Sequence, residues 1–222
     1  MKPIIFSAES LKKEFNRRVI FDSVSFTLHE GGVFAVTGRN GSGKSTLVKI
    51  LCGLLSPTKG AIRVTIEGKE VNMDVLFRRI GFIAPYLNMY EEFSGIENLT
   101  LFGKIRGLSK PPLEQNNFVG DAEELLRRFN IFDRRHDEVR TYSSGMKQRL
   151  KFAAALLHRP EILMMDEPTS NLDEEGIATV RSVIAEQRKH GILIIATNEK
   201  DDVKYADTVL NLDERKTRKS SS

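Results

Sequence analysis

Residues 38–46 read Gly-Arg-Asn-Gly-Ser-Gly-Lys-Ser-Thr, the spacing G-x-x-x-x-G-K-[ST]. A loop of this kind leaves few folds open, because it needs a strand to deliver the chain and a helix to carry it away. The start of that helix offers free N–H groups and the positive end of the helix dipole. Both flanks are present. Val33-Phe34-Ala35-Val36 is a short apolar β-rich run, and Leu47, Ile50, Leu51 and Leu54 fall at helical spacing. Gly38, Gly41 and Gly43 let the backbone between them, with Arg39, Asn40 and Ser42, curl so that successive amides point at a cluster of phosphate oxygens. Lys44 supplies a mobile cation for the outer phosphates, and the Ser45 hydroxyl, beside Thr46, is placed to hold Mg²⁺. The expected ligand is a triphosphate.

The 222 residues suffice for one substantial core with a lobe inserted into it. A content of 40% apolar and 29% charged residues is that of an ordinary globular protein. The sequence contains no apolar run of the roughly 20 residues that a membrane-crossing helix needs. The start, Met1 to Phe6, is too short an apolar stretch for a secretory signal. One cysteine, Cys52, cannot form an internal disulfide and reads as a small core residue in a reducing compartment. Part of the net charge of +4 sits in Arg215-Lys216-Thr217-Arg218-Lys219, so residues 214–222 read as a basic, disordered tail.

Residues 4–10 and 22–28 read as strands. In the second, Val24, Phe26 and Leu28 alternate with Ser23, Ser25 and Thr27, the pattern of a sheet with one buried face. Ala61 to Val71 reads as a hairpin bending at Glu67-Gly68-Lys69, and 79–84 as a strand ended by Pro85. From about 86 to 158 the texture turns helical, with a loop at 107–112 and Ala122, Leu125, Leu126 and Phe129 at amphipathic spacing. Strands return at 162–165 and 192–196, around a helix that Gly191 is expected to stop. The expected fold is α/β: a phosphate-loop core of mixed sheet with flanking helices, an N-terminal antiparallel portion, and a helical subdomain about 86–158 inserted in a single domain 1–213.

Two further motifs carry chemistry. Ile162-Leu163-Met164-Met165-Asp166-Glu167 is a buried strand whose C-terminal end emerges into a site. Asp166 suits a water-mediated contact to the Mg²⁺ held by Ser45, and Glu167 can reach the attacking water as general base. Tyr142-Ser143-Ser144-Gly145-Met146-Lys147-Gln148-Arg149 opens a helix with a capping hydroxyl and offers a second anion site.

Taken in this order, the motifs make the chain resemble the ATP-binding subunit of ABC transporters over nearly all of residues 4–213, and of the exporter-like kind. Gly38 to Thr46 matches the Walker A loop. Ser143 to Met146 matches the signature, in the form Ser-Ser-Gly-Met. Ile162 to Glu167 matches Walker B, and Ser170-Asn171-Leu172-Asp173 the D-loop. Phe15, 23 residues before Gly38, falls where the family places an aromatic that stacks on adenine. The resemblance implies ATP and Mg²⁺ as ligands, with Ser143, Ser144, Gly145 and Asp173 meeting the nucleotide of a second, head-to-tail subunit. It also implies a separate membrane-spanning permease as partner, docked near Tyr86 to Phe93, and a place on the inner face of the cell membrane. No specific nucleic-acid partner is expected.

Two positions depart from the family. The glutamine at the end of the strand 79–84 is replaced by Pro85, with Asn88 as a residue that could reach in instead. The histidine after the strand 192–196 is replaced by Asn198, and His29, His136, His158 and His190 are too distant in sequence to substitute. Asparagine donates a neutral hydrogen bond but cannot become cationic. Slow ATP hydrolysis by Lys44, Glu167 and Asn198 is the expected activity, coupled to transport; the alternative is a free-standing ATPase in cofactor assembly or regulation.

Overall fold

Two sheets of opposite character share the chain. The computed structural model describes residues 3–108 and 118–213. In chain order the elements are β1 (Ile4–Phe15), β2 (Arg18–His29), β3 (Val33–Thr37), α1 (Lys44–Leu51), β4 (Lys59–Ile66), β5 (Lys69–Glu70), α2 (Met73–Phe77), β6 (Ile80–Ile83) and α3 (Gly95–Ile105). There follow α4 (Phe118–Arg128), α5 (Ser144–Leu156), β7 (Ile162–Asp166), α6 (Glu174–Gln187), β8 (Ile192–Ala196), α7 (Lys200–Val203) and β9 (Thr208–Asn211).

The first sheet is antiparallel, in the order β2-β1-β4-β5. Its strands β1 and β2 run well beyond the expected 4–10 and 22–28. They form one long hairpin closed by Asn16 and Arg17, both at positive φ (47° and 66°), the conformation that matches the twist of paired strands. Register shifts between Ala8 and Leu11 and between Leu11 and Lys13 let the hairpin bend as it extends. Polar residues in the outer half hide that extension from an alternation count.

The second sheet is parallel, in the order β6-β7-β8-β3-β9. All five residues of β7 and of β8 are buried, as expected for strands covered on both faces. Successive residues serve different cores. Ile162, Met164, Ile192 and Ile194 face a cluster shared with α1 and the antiparallel sheet. Leu163, Met165, Leu193 and Ile195 face a second cluster built with α3 to α6.

Because Asp166 pairs with Ala196 and Val36 pairs with Ala196, the C-terminal ends of β7, β8 and β3 finish level with each other. The loops that leave them open on one edge of the sheet, where ligands of parallel α/β sheets bind.

Gly191 does not stop a helix. α6 ends at Gln187, and Gly191 lies three residues past the cap at a φ outside the left-handed range. It is glycine because a Cβ there would fall 2.4 Å from the Glu161 carbonyl. The loop expected at 107–112 lies partly, and the basic tail from 214 wholly, outside the described residues.

Candidate functional site

The loop 38–46 follows β3 directly and ends in α1, whose N-cap is Gly43. Gly43 has φ +112°, and a Cβ there would lie 2.5 Å from a methyl of Ile20, so β2 and the loop touch only because the side chain is missing. Behind the loop, the amide of Arg39 donates to the Asp213 carboxylate at 2.7 Å. No pattern in the sequence marks Asp213; the contact spans 174 positions.

Lys44 is almost fully buried. Its Nζ donates to the Gly38 carbonyl at 2.8 Å and to Asn198 Oδ1 at 3.1 Å, and lies 3.7 Å from Glu167 Oε1. Asn198 Nδ2 donates in turn to Asn40 Oδ1 at 2.9 Å. Residues from the ends of three parallel strands thus surround one cation.

Glu167 sits at φ +49°, a conformation costly for a residue with a Cβ by about 1 kcal/mol or more. Its amide donates to the Ala196 carbonyl at 2.8 Å, and its own carbonyl accepts from Ser170 Oγ at 2.8 Å, which holds the turn. Burial pushes the Glu167 carboxyl up, and neighbouring Lys44 pulls it back. Asp166 is 1% exposed, and neither carboxylate oxygen makes a well-formed hydrogen bond among the described residues, the Ser45 hydroxyl lying near it. Burial raises its pKa, and the Ser45 hydroxyl, Lys44 and Lys49 lower it in turn. A buried carboxylate with so little hydrogen-bonding support is costly, and a divalent cation beside Asp166 and Ser45 fits that donor set. Among the described residues no cluster of three His, Cys, Asp or Glu could hold a metal alone, so such an ion would take its remaining ligands from phosphates and water.

Phe15 stands at the tip of the β1–β2 hairpin, 44% exposed, with Lys13 Nζ 4.7 Å from its ring centroid. The same hairpin brings Ile20 onto the loop, so the exposed ring projects from an element already docked beside residues 38–46.

Ser143, Ser144, Gly145 and Asp173 form a different group. Ser143 Oγ caps α5 by accepting from the Met146 amide at 3.2 Å. Asp173 caps α6 through the Gly176 amide at 2.9 Å and accepts from Arg149 Nη2 at 2.6 Å. These two donors, the amide first, hold the Asp173 carboxyl below the usual range. With Asn130 and Asn171 these residues line an open hollow that no residue of the 38–46 loop enters.

Pro85 lies in an exposed turn after β6, and its carbonyl accepts from Lys151 Nζ at 2.8 Å. Asn88 does not reach the phosphate loop. It lines a separate, largely apolar groove with Cys52, Phe82, Met89, Phe102 and Lys151. His158 lies within 3.1 Å of Arg106 and 3.0 Å of the Ile80 carbonyl.

A family profile described as ABC transporter matches residues 21–170. The chain is 32% identical over 197 residues to the uncharacterized ABC transporter ATP-binding protein YybJ of Bacillus subtilis (strain 168), covering 87% of this chain and 85% of that protein. It is also 32% identical over 196 residues to the linearmycin resistance ATP-binding protein LnrL of the same organism, covering 87% of this chain and 61% of that protein. A solved structure of an ATP-binding subunit of an ABC transporter superposes with a TM-score of 0.81 at 27% identity, over 93% of this chain and 85% of the other. The chain therefore spans most of one curated relative and about three fifths of another.

Proposed function

This chain belongs to the ABC transporter family as an ATP-binding subunit, and on that premise we propose that it hydrolyses ATP to drive a separate membrane-spanning permease of the export type. The observation that carries the reading is the convergence of Lys44, Glu167 and Asn198 at the mouth of the 38–46 loop.

In this reading the phosphates seat on the amides of 38–46 and adenine stacks on Phe15. Ser45 and Asp166 would hold Mg²⁺, which would supply positive charge to offset that of the phosphate oxygens. Glu167 takes a proton from the attacking water as the bond to the leaving ADP oxygen breaks, and Lys44 and Asn198 face the transferred phosphate. Asn198 meets developing negative charge with a neutral amide. Losing a better donor at such a position costs roughly 3 kcal/mol, or 10²–10³ in rate, so turnover is slow.

The exposed start of α5 at Ser143 to Gly145 suits the γ-phosphate of a nucleotide held by a second subunit, either a copy of this chain or a relative. The apolar groove beside Tyr86 to Phe93 suits a helix of the permease. Leu87 and Met89 line it, and Tyr86, Tyr90 and Phe93 of the same segment are 39–49% exposed, which is unusual apolar weight for a loop. Among the described residues no helix is long and apolar enough to cross a membrane, so the pore would belong to another chain on whose inner face this one sits. The relative LnrL, named for linearmycin resistance, favours export over a free-standing role.

The test is ATP turnover by the purified chain. The reading requires Mg²⁺-dependent release of phosphate that Lys44→Met removes. Turnover that survives Lys44→Met, or none with Mg²⁺ and saturating ATP, contradicts it.

A further inference from the structure

Asp202, on the short α7, is 4% exposed and takes no part in the roles assigned above. Its Oδ2 accepts two hydrogen bonds, from Thr169 Oγ1 at 3.0 Å and from Thr197 Oγ1 at 3.0 Å. The two threonines come from different arms of the site. Thr169 lies two residues after Glu167, and Thr197 directly precedes Asn198. Thr197 is held from further sides: its amide donates to the Val36 carbonyl at 3.0 Å, and its hydroxyl accepts from the Glu199 amide at 3.0 Å. Asn198 is thus bracketed by the two residues that the Thr197 hydroxyl ties together. The turn carrying Glu167 is gripped from the other side, where Gln148 Nε2 on α5 donates to the Pro168 carbonyl at 3.2 Å.

One buried carboxylate oxygen serving two hydroxyls is an expensive arrangement for mere packing, since a leucine in place of Asp202 with valines in place of the threonines would fill similar space without a buried charge. What the oxygen adds is a fixed relation between two loops. We infer that Asp202 is a positioning residue that locks the Glu167 turn and the Asn198 loop into one unit, so that base and phosphate-facing amide keep their spacing when ATP arrives. The inference rests on the ATPase reading above and adds to it. Neither threonine hydroxyl need touch substrate; their effect passes through the backbone to the neighbouring Glu167 and Asn198, where small displacements cost much of the rate.

The test is steady-state ATP hydrolysis by the full chain, with binding of a fluorescent ATP analogue and thermal melting measured on the same samples. Asp202→Ala is expected to lower kcat at least tenfold while analogue affinity stays within threefold, because the 38–46 loop is untouched. Asp202→Asn, whose amide oxygen can still accept both hydroxyls, restores most of kcat. Thr169→Val and Thr197→Val each lower kcat, and the double variant is no worse than the worse single one, as expected for two halves of one clamp. These threonine variants decide the matter should Asp202→Ala fail to fold. Unchanged kcat in Asp202→Ala, strictly additive threonine effects, or a kcat loss that analogue affinity matches in full overturns the inference. A wild type with no turnover overturns the ATPase reading and this inference together, whereas a working wild type beside an unaffected Asp202→Ala overturns the inference alone.

Discussion

Lys44 Nζ and Asn198 Oδ1 lie 3.1 Å apart although 154 positions separate them in the chain. The parallel register of β3 and β8 brings them together, since Val36 pairs with Ala196 and each loop begins within two residues of that pair. The lysine is held by its own loop's Gly38 carbonyl, by Asn198 and by the nearby Glu167. The cation that would meet the outer phosphates is thus already ordered, and its carbonyl and amide partners are ones a phosphate oxygen can replace.

Glu167→Gln keeps the shape of the turn and removes the carboxylate proposed as base. Turnover should fall at least 100-fold, the usual contribution of a positioned general base, while the affinity for an ATP analogue changes little. Single-turnover phosphate release and analogue titration on the same preparation check both halves. A variant with wild-type rate removes Glu167 from the mechanism.

Asn198→His introduces a donor that can carry charge in place of a neutral amide. Turnover should rise tenfold or more, within the roughly 10²–10³ that a single oxyanion donor supplies. Phosphate release at saturating ATP is the measurement. An unchanged rate in Asn198→His, beside a dead Glu167→Gln, shows that the asparagine is not what limits hydrolysis.

Gly81 in β6 should tolerate no side chain. A Cβ there would lie 2.6 Å from the Ala155 carbonyl, 2.8 Å from Pro160 and 2.9 Å from Leu163, so α5 would have to move off the sheet. Gly81→Ala should cost about 1–3 kcal/mol by overpacking, read as a lowered midpoint in urea with an unchanged slope. The loss of no stability would mean that α5 packs on β6 less tightly than drawn.

His158 sets an acid limit on stability. Burial, then the charge of Arg106, lowers its pKa to about 4, below an ordinary histidine value of 6.5. The folded chain therefore holds it neutral where the unfolded chain is already charged. Its contribution is complete above pH 6.5 and is lost as pH falls toward 4. Between pH 7 and pH 5 it should remove about 2 kcal/mol of folding free energy. Urea unfolding at the two pH values, repeated on His158→Leu, checks this: the variant should lose most of the difference, and an equal drop in both proteins contradicts the assignment.

The local chemistry of the candidate site was legible where it is written in contiguous residues. Gly38 to Thr46 and Ile162 to Glu167 announce themselves because a strand, a turn and a helix start must follow each other without a break. Asn198 was legible as a substitution only against a family pattern. Asp213 behind the loop and Asp202 between two threonines were not legible, since each acts across the fold on partners that no local spacing links to it. The three positions of sequence from Pro85 to Asn88 do not fix reach in space, and Asn88 lines a groove that no residue of the 38–46 loop enters. The outer half of the first hairpin escaped because bulges near Ser10 break the two-residue period on which a strand is recognised.

The central claim is that this chain powers a pore it does not itself contain. The most direct test is to purify it from its own gently solubilised membranes with ATP bound and Glu167→Gln blocking turnover, and to identify what accompanies it. The account predicts a polytopic membrane protein at matched stoichiometry, lost when Tyr90 and Phe93, exposed in the segment beside the groove, are changed to serine. Recovery from the soluble fraction alone, with no membrane protein at any stoichiometry, would contradict it.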